Sequence, residues 1–506
     1  MLFNTAEFVF IFLPLAVGLH FAAARRGMTA AMIVTTCSSL FFYAWWNPPF
    51  VLLPMSSIVG NFFLARVLVR VSDPAARRLM IIGVAANLLV LGYFKYADFA
   101  IAVVEGRTPK PPNVPLALSF TTFVQIAFLV HVWQKRSAVD FPRYAMFVSF
   151  FPHLIAGPIV RWNDLGPQIG DRLRYKPDFN NIAIGLTVFT LGLGKKVLIA
   201  DGLAPHVAPV FAAAARGEPI TAFAAWGAAF AYSAQLYFDF SGYCDMAVGL
   251  GLLFNLRLPI NFAAPLRSTS IIDFWRRWHI TLSNFLRDFV YVPMGGSKCG
   301  PVRLSFNLIA TLVLGGLWHG ANWTFIAWGA FNGVLLLINH FWRTFRGPRR
   351  PSLLGRFAGW CATFALFAVG MAMFRSANLG AMRHLLSAMM GLANGPESLG
   401  HVAVDADRWM ISKGYLPGPF IHALTGQNWS IVATLGTMIA MAIALFVPDT
   451  MELVDYREGE PHVKWRRPLH GLAWQPSVPW LLFVCVVFGY SFIYFWHFNE
   501  FLYYQF

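Results

Sequence analysis

Charged side chains are scarce in this chain of 506 residues, because Asp, Glu, Lys and Arg together make up only 12% of it. A soluble domain carries about 25% charged residues and roughly 45–50% apolar ones, whereas 57% of this chain is hydrophobic. This composition excludes a soluble enzyme and also a disordered or fibrous protein. It indicates an integral membrane protein, and the lack of any long polar stretch predicts a single domain over residues 1–506.

Cysteine is also rare, and the five thiols are scattered: Cys37, Cys244, Cys299, Cys361 and Cys485. An odd number of thiols, mostly inside apolar runs, predicts neither a disulfide framework nor a zinc site. Two enzyme motifs are missing as well. There is no Gly-x-Ser-x-Gly elbow, and the run GLGKK at 192–196 lacks the length of a phosphate loop and a preceding strand. We therefore expect no metal centre.

Long apolar runs are abundant instead. A helix that spans a bilayer needs about 20 mostly apolar residues. Candidate stretches lie near residues 5–24, 29–46, 49–70, 79–103, 116–133, 182–199, 220–240, 303–318, 322–342, 356–375, 430–448 and 476–497. Strand-like alternation is absent, so we predict an all-α, polytopic membrane protein with roughly 10–12 transmembrane helices.

Lys and Arg outnumber Asp and Glu by 39 to 23, a formal net charge of +16. In a soluble protein this excess would indicate nucleic acid, but here the positive-inside rule explains it, because the basic clusters all fall on one side of the predicted spans. We therefore expect contact with a lipid bilayer and no nucleic-acid partner. The rule places the basic loops in the cytoplasm and both termini outside, with Phe8–Ala24 retained as a first helix.

Two segments do not fit simple spans. Phe147–Val160 is apolar but short and is broken by Pro152, Gly157 and Pro158, whereas Pro259–Gly300 is rich in aromatic residues and arginine. Broken backbone at membrane depth needs protein or water to satisfy its polar groups, so both segments are candidates for re-entrant or interfacial helices lining a cavity. The alternative is a pair of amphipathic helices on the surface.

His319 stands among small residues in the run GGLWHGANW at 315–323. Ionisable residues in spans are costly and indicate function, and an imidazole is a natural proton acceptor near neutral pH. The glycines leave room for a substrate or another backbone. His319 is therefore a candidate catalytic base, with Trp318 and Asn322 lining its site. The alternative is a core histidine that is hydrogen-bonded between helices.

A second histidine, His279, lies in the run DFWRRWHITLS at 273–283. Arginine and tryptophan together suit an anionic, partly flat ligand such as a nucleotide thioester. The candidate donor-binding residues are Trp275, Arg276, Arg277 and Trp278. The alternative is an interfacial belt, where Trp and Arg are enriched in any case.

Asp239 and Asp245 lie in the run YFDFSGYCD at 237–245. Two carboxylates at a helix end could bind a cation or orient a histidine, which makes Asp245 a candidate for lining the site. A structural role, paired with the downstream arginines, is the favoured reading.

Six motifs follow one another along the chain: FPHLIAGPIVR (151–161), YFDFSGYCDMAVG (237–249), FWRRWHITLS (274–283), YVPMGG (291–296), GLWHGANW (316–323) and FLYYQF (501–506). In this order they resemble the membrane-bound O-acyltransferase (MBOAT) family. The resemblance implies the MBOAT fold, with a catalytic core at about residues 115–345. His319 matches the family's near-invariant histidine, and His279 matches the second histidine of a bacterial branch.

The resemblance also implies an enzyme. We expect an O-acyltransferase in the cell inner membrane, most similar to the branch that O-acetylates alginate. Its donor substrate would be cytosolic acetyl-CoA or another acyl thioester, with no permanently bound cofactor. Its acceptor would be a hydroxyl of an exported polysaccharide or a periplasmic partner acetyltransferase. The predicted sides put His319 in the outer half of one passage and His279 in the inner half.

Three alternatives stay open. One is transfer of D-alanyl or another acyl group to a cell-envelope polymer. The second is a transporter of an acylated or anionic small molecule without chemistry, since broken helices also occur in transporters. The third is a structural anchor that recruits a secretion complex, against which the intact His279 and His319 argue.

Overall fold

The computed structural model describes residues 1–45, 48–110, 114–115, 117–347, 351–392, 429–456, 472–494 and 502. These residues are mainly helical and include no strand, which confirms the all-α prediction. The first helices are α1 (Leu13–Ala24), α2 (Met28–Ala44), α3 (Leu52–Arg70), α4 (Asp73–Glu105), α5 (Leu118–Lys135) and α6 (Phe141–Ser149). The next are α7 (Phe151–Leu154), α8 (Trp162–Ile169), α9 (Phe179–Gly194), α10 (Asp201–Arg216), α11 (Ala222–Leu253), α12 (Ile271–Trp275) and α13 (Ile280–Leu286). The last are α14 (Gly300–His319), α15 (Trp323–Arg346), α16 (Leu353–Arg375), α17 (Leu379–Met389), α18 (Trp429–Phe446), α19 (Thr450–Leu453) and α20 (Val478–Ile493).

Seven helical stretches are long and apolar enough to cross a membrane: Pro48–Arg70, Asp73–Glu105, Phe179–Arg216, Gly300–His319, Trp323–Arg346, Leu353–Arg375 and Ala433–Leu453. Three shorter apolar helices accompany them: Phe8–Ala24, Met28–Ala44 and Val478–Ile493. The chain is a multi-pass membrane protein, and each of the twelve predicted stretches coincides with a helix. Two of the predicted stretches are not among these ten helices; they form α5 and α11, which lie in the centre. Helix α11 is buried at every residue from 231 to 253.

Helices α9 and α11 pack closely through two pairs of glycines. A Cβ on Gly192 would lie 2.5 Å from the Gly242 carbonyl oxygen, and one on Gly185 would lie 2.7 Å from that of Gly249. Within membranes, small residues at such spacing let helix backbones approach and pack by van der Waals contact. The glycines thus fix α9 against the central helix.

Buried ion pairs tie the same helices to α19. Lys195 Nζ lies 2.8 Å from a carboxylate oxygen of Asp245 and 3.1 Å from one of Asp449. Lys196 Nζ lies 2.6 Å from Asp239. Buried charges need partners of opposite sign, and these contacts support the structural role that we favoured for both aspartates. Their partners, however, are lysines of the GLGKK run and not the downstream arginines.

The first broken segment lies inside the protein. Every residue from 144 to 160 is buried, and the backbone N–H of Ile159 donates to the Thr281 hydroxyl at 3.0 Å. An amphipathic surface helix would expose one face, so that alternative is wrong for this segment. The interior contact also joins the first broken segment to the second.

The second broken segment is re-entrant, because it follows α15 away from its basic end. The Ile272 N–H donates to the Asn339 side chain at 3.2 Å, and the Trp275 ring then lies 5.9 Å from the Trp328 ring. These two contacts on α15 are eleven residues apart, about 16 Å along a helix axis. The chain then returns through α13 to the exposed turn before α14.

Helices α14 and α15 form a close hairpin, and their contact explains two of the predicted glycines. A Cβ on Gly316 would lie 2.2 Å from the Phe325 carbonyl oxygen, and one on Gly320 would lie 2.3 Å from the Phe325 ring. The space that the glycines leave beside His319 is therefore occupied by the backbone and the ring of Phe325. Gly315 and Gly316 lie within α14 and do not interrupt it.

The sequence after α16 is amphipathic and forms α17, whose Leu385 and Ala388 are fully buried. These side chains pack in the same core cluster as residues of α10, α11 and α16, because one face of the helix is apolar. Residues 393–428 lie outside the described residues, as does all of the motif at 501–506 except Leu502.

Candidate active site

Three long helices enclose the His319 imidazole. His319 is the last residue of α14, and its side chain is buried. Its ring lies nearly perpendicular to the Trp328 ring of α15 at 5.5 Å and to the Phe374 ring of α16 at 5.1 Å. Aromatic edges carry partial positive charge and ring faces partial negative charge, so such perpendicular contacts are favourable and directional. The imidazole is thus held in a shaped aromatic pocket.

His279 sits at the start of α13 in an unusual backbone conformation, with φ +43° and ψ +53°. A side chain other than glycine pays of order 1–2 kcal/mol for the left-handed region. His279 is 1% exposed, and its ring meets the Phe240 ring edge-on at 4.8 Å. The turn therefore directs an imidazole into the protein at a point where α12 ends and α13 begins.

The two imidazoles share one site. Their ring centres are 6.4 Å apart. Helix α14 has 20 residues, hence a length of about 30 Å, and His319 is at the end away from Gly300. His279 must lie near that same end, so the prediction that the two histidines occupy opposite halves of the membrane is wrong. The re-entrant course of the second broken segment is the physical reason.

The amide of Asn261 organises the His279 side. Its Oδ1 lies 3.2 Å from His279 Nδ1, and it accepts from the Thr281 N–H at 3.2 Å and the Thr281 hydroxyl at 3.0 Å. Because an amide oxygen only accepts, Nδ1 must carry the proton in this contact. In the neutral imidazole the acceptor nitrogen is then Nε2. The Asn261 Nδ2 donates in turn to the Cys244 sulfur at 3.3 Å.

Trp318, predicted to line the site, lies next to both histidines. Its ring is 6.1 Å from His279 and 5.0 Å from His319. On its other side it stacks on Phe123 of α5 at 5.2 Å, and Phe123 stacks on Phe285 of α13 at 4.1 Å. Trp318, Phe123 and Phe285 thus form a continuous aromatic stack.

The four predicted donor-binding residues do not form one surface. Trp275 is linked to the pocket through Trp328, whereas Trp278 is buried and stacks on Phe274 at 5.5 Å. Arg277 Nε donates to Asp273 at 3.1 Å. Arg276 is exposed. Of the two guanidinium groups, only that of Arg276 is well placed for an anion in solution.

The structure places two predicted lining residues in structural roles. Asp245 pairs with Lys195, as described above. The Asn322 side chain caps α15 by accepting from the Thr324 N–H at 3.1 Å, and it donates to the Ala377 carbonyl at 2.9 Å. Asparagine is a preferred residue at a helix N-cap. Neither side chain is brought to the imidazoles by these contacts.

Lys95 and Tyr96 of α4 also reach the site, although no sequence motif predicts them there. The Lys95 ammonium donates to the Trp318 carbonyl oxygen, and the Tyr96 hydroxyl donates to that of Leu317 at 2.9 Å. A lysine inside an apolar span is itself a sequence signal of function. Its partner, 223 residues away, could not be read from spacing.

A cavity of about 810 Å³ opens on the side of the basic loops. Its polar lining includes Arg77, His131, Gln134, Arg161, Asn163 and Asp288. Arg161 pairs with Asp288 at 2.7 Å. Burial alone would raise the pKa of the Asp288 carboxyl, but hydrogen bonds from Arg287 and Arg161 outweigh it and hold that pKa below its usual value. Asp288 is therefore ionised, and it offsets one of the two cavity arginines.

The same cavity borders the aromatic stack. Phe289 lines the cavity, and its ring lies 4.6 Å from that of Phe285. From Phe285 the stack leads through Phe123 and Trp318 to His319. A continuous run of aromatic side chains therefore connects the cavity to the imidazoles.

Comparison with known proteins gives a consistent family match. Residues 74–384 match the membrane-bound O-acyltransferase family. A peptidoglycan O-acetyltransferase of Helicobacter pylori is 38% identical over 448 residues, which cover 81% of this chain and 83% of that protein. A probable alginate O-acetylase of Azotobacter vinelandii is 40% identical over 410 residues, 78% of this chain and 79% of the relative. A teichoic acid D-alanyltransferase of Streptococcus thermophilus is 28% identical over 45% of this chain and 57% of that protein.

Proposed function

The chain belongs to the membrane-bound O-acyltransferase family and is an acyltransferase, and we propose that it moves an acetyl group from a cytosolic thioester to a hydroxyl outside the cytoplasm. The relatives that cover most of the chain are named for O-acetylation of peptidoglycan and alginate. These names favour acetyl over D-alanyl, whose transferase matches less than half of this chain. The acceptor is a polysaccharide such as alginate or a periplasmic partner acetyltransferase, and the location is the inner membrane.

The observation that carries the proposal is the pair of buried imidazoles 6.4 Å apart. In the transfer step, His319 takes the proton of the acceptor hydroxyl while that oxygen attacks the thioester carbonyl carbon. A C–O bond forms, the C–S bond breaks, and the departing thiolate receives the proton from the imidazolium. A positioned general base of this kind contributes about 10²–10⁴-fold to a rate.

His279 supports the same step from the opposite wall of the pocket. Asn261 holds its Nδ1–H, so Nε2 is turned into an acceptor that can bind the hydroxyl or an intervening water. The orientation of a base by a third group is a general feature of acyl-transfer sites. We expect loss of His279 to be severe, but less severe than loss of His319.

The donor enters from the basic side. The large cavity next to the aromatic stack supports this route, because it combines arginine with apolar and aromatic walls, as a phosphate-bearing thioester with a flexible apolar arm requires. The second broken segment contributes Asp288, Phe289 and Pro293 to its lining. The exposed Arg276 is a further candidate for the donor's phosphates.

The test uses the full chain in lipid nanodiscs with radiolabelled acetyl-CoA and oligosaccharides of alginate or peptidoglycan. His319→Ala should lose at least about 10²-fold in transfer rate, the loss expected for a general base. His340→Ala, on α15 near its basic end, is the matched control and should keep its activity. If His319→Ala keeps more than a tenth of the wild-type rate, the general-base role is wrong. If the same protein in sealed proteoliposomes takes up labelled donor without thioester cleavage, the transporter alternative replaces the proposal.

A further inference from the structure

Lys95 is a buried, ionisable side chain in a helix that is mostly exposed. On α4, Leu89 is 73% exposed and Tyr93 is 72% exposed, whereas Lys95 is 5% exposed. Ionisable side chains at membrane depth are expensive, and those that occur face the protein interior and mark functional positions. The burial of this ammonium therefore requires a specific partner.

The partner is the end of α14. Lys95 Nζ donates to the Trp318 carbonyl oxygen and lies 5.6 Å from the centre of the Trp318 ring. The neighbouring Tyr96 hydroxyl binds the Leu317 carbonyl at 2.9 Å. The last carbonyls of a helix have no partner within the helix and form the negative end of its dipole. A lysine and a tyrosine from α4 satisfy them where lipid cannot.

The bond from Lys95 acts on one particular peptide unit. The Trp318 carbonyl belongs to the peptide that carries the His319 N–H, so the ammonium fixes the plane from which the imidazole projects. Tyr96 shows that a neutral hydroxyl is enough to cap the preceding carbonyl. Burial of a lysine side chain at the Trp318 carbonyl costs more desolvation free energy than burial of a hydroxyl. Capping of the carbonyl does not by itself explain why a lysine stands there.

We infer that Lys95 is a positioning residue for the acyl-transfer step, which it serves by holding the Trp318–His319 peptide so that the His319 imidazole faces His279. The inference rests on the proposed role of His319. Lys95 does not touch the reacting atoms, and its effect is on the rate of transfer and not on donor binding, since Lys95 is not among the residues that line the donor cavity.

The test compares Lys95→Met, Lys95→Gln, Lys95→Arg and Tyr96→Phe in the full chain in nanodiscs, with acetyl-CoA as donor. Lys95→Met and the shorter Lys95→Gln should lower kcat at least tenfold, while KM for acetyl-CoA changes less than about threefold. Lys95→Arg keeps a cationic donor and should recover most of kcat. Tyr96→Phe removes only the neutral cap and should keep most of kcat.

Two results would overturn the inference. One is a wild-type kcat in Lys95→Met or, if that variant does not fold, in Lys95→Gln. The other is an equal loss in the methionine, glutamine and phenylalanine variants with no rescue by arginine, which would indicate general loosening between α4 and α14. Inactive wild-type protein would instead refute the proposed function. The rate at which diethyl pyrocarbonate modifies His319 needs no donor and then tests the role of Lys95. This rate should change severalfold in Lys95→Met and Lys95→Gln but not in Tyr96→Phe, and an unchanged rate in the two Lys95 variants refutes the role.

Discussion

At the scale of single residues, the site depends on one neutral amide. The Asn261 oxygen accepts from His279 and twice from Thr281, and Thr281 in turn accepts from Ile159 of the first broken segment. In a low-dielectric interior, a polar group of such a network that loses its partner costs free energy. Asn261 therefore sets the tautomer of His279 and joins both broken segments.

Asn261→Leu should abolish this arrangement. We expect at least a tenfold fall in the transfer rate, because His279 loses the acceptor that fixes its Nδ1 proton and Thr281 loses its partner. Asn261→Asp keeps the accepting oxygens and should retain more activity. Initial rates and thermal unfolding measured together separate chemistry from folding. Asn180→Leu, an exposed asparagine on α9, is the control; a wild-type rate in Asn261→Leu would refute the role of the amide.

At the scale of elements, glycine pairs decide how closely the central helices approach. The contacts between α9 and α11 leave no room for a methyl group at Gly192, as its 2.5 Å distance to a carbonyl oxygen indicates. Backbone cannot yield as a flexible side chain can, so overpacking here must separate two helices that carry the buried ion pairs.

Gly192→Ala should therefore destabilise the protein by about 1–3 kcal/mol, the usual cost of overpacking. Gly202→Ala is the matched control, because a Cβ at Gly202 meets nothing within 4 Å and alanine favours helix. The midpoint of thermal unfolding in detergent gives the comparison. Equal midpoints for the two variants would show that α9 and α11 can separate without cost.

The elements also show what a sequence can and cannot predict. The apolar runs are sufficient for every helix of spanning length, because each backbone must satisfy its own hydrogen bonds in lipid. His319 was recognisable because it is a titratable residue among glycines. Which helices are neighbours was not recognisable from the sequence, because Lys95 meets Trp318, and Asp245 meets Lys195, only through the packing of distant segments. The misplacement of His279 has the same origin, since the depth of a re-entrant turn depends on contacts with α15.

At the scale of the whole molecule, the charge distribution predicts which end of the bundle faces the cytoplasm. Thr108 lies in the loop after α4, and Lys298 lies in the turn before α14; both are exposed. A variant lacking the five native cysteines, with a single cysteine at one of these positions, can be labelled in intact cells by a membrane-impermeant maleimide. Thr108→Cys should react from outside, and Lys298→Cys should react only after the cytoplasm is opened. Labelling of both from the same side would overturn the predicted orientation.

The position of Asp449 has a consequence for how the protein is made. Its carboxylate binds Lys195 at 3.1 Å and accepts from the Ala264 N–H at 3.0 Å, yet Lys195 leaves the ribosome 254 residues earlier. During that interval the lysine is a cation in the membrane that lacks one of its two carboxylates. Asp245 is made much earlier and can pair with Lys195 first, so Asp449 joins an ion pair that already exists when α18 and α19 are inserted. A chain that ends before Asp449 would leave the Ala264 N–H without its carboxylate acceptor, so the last helices complete a contact that the earlier ones have only begun.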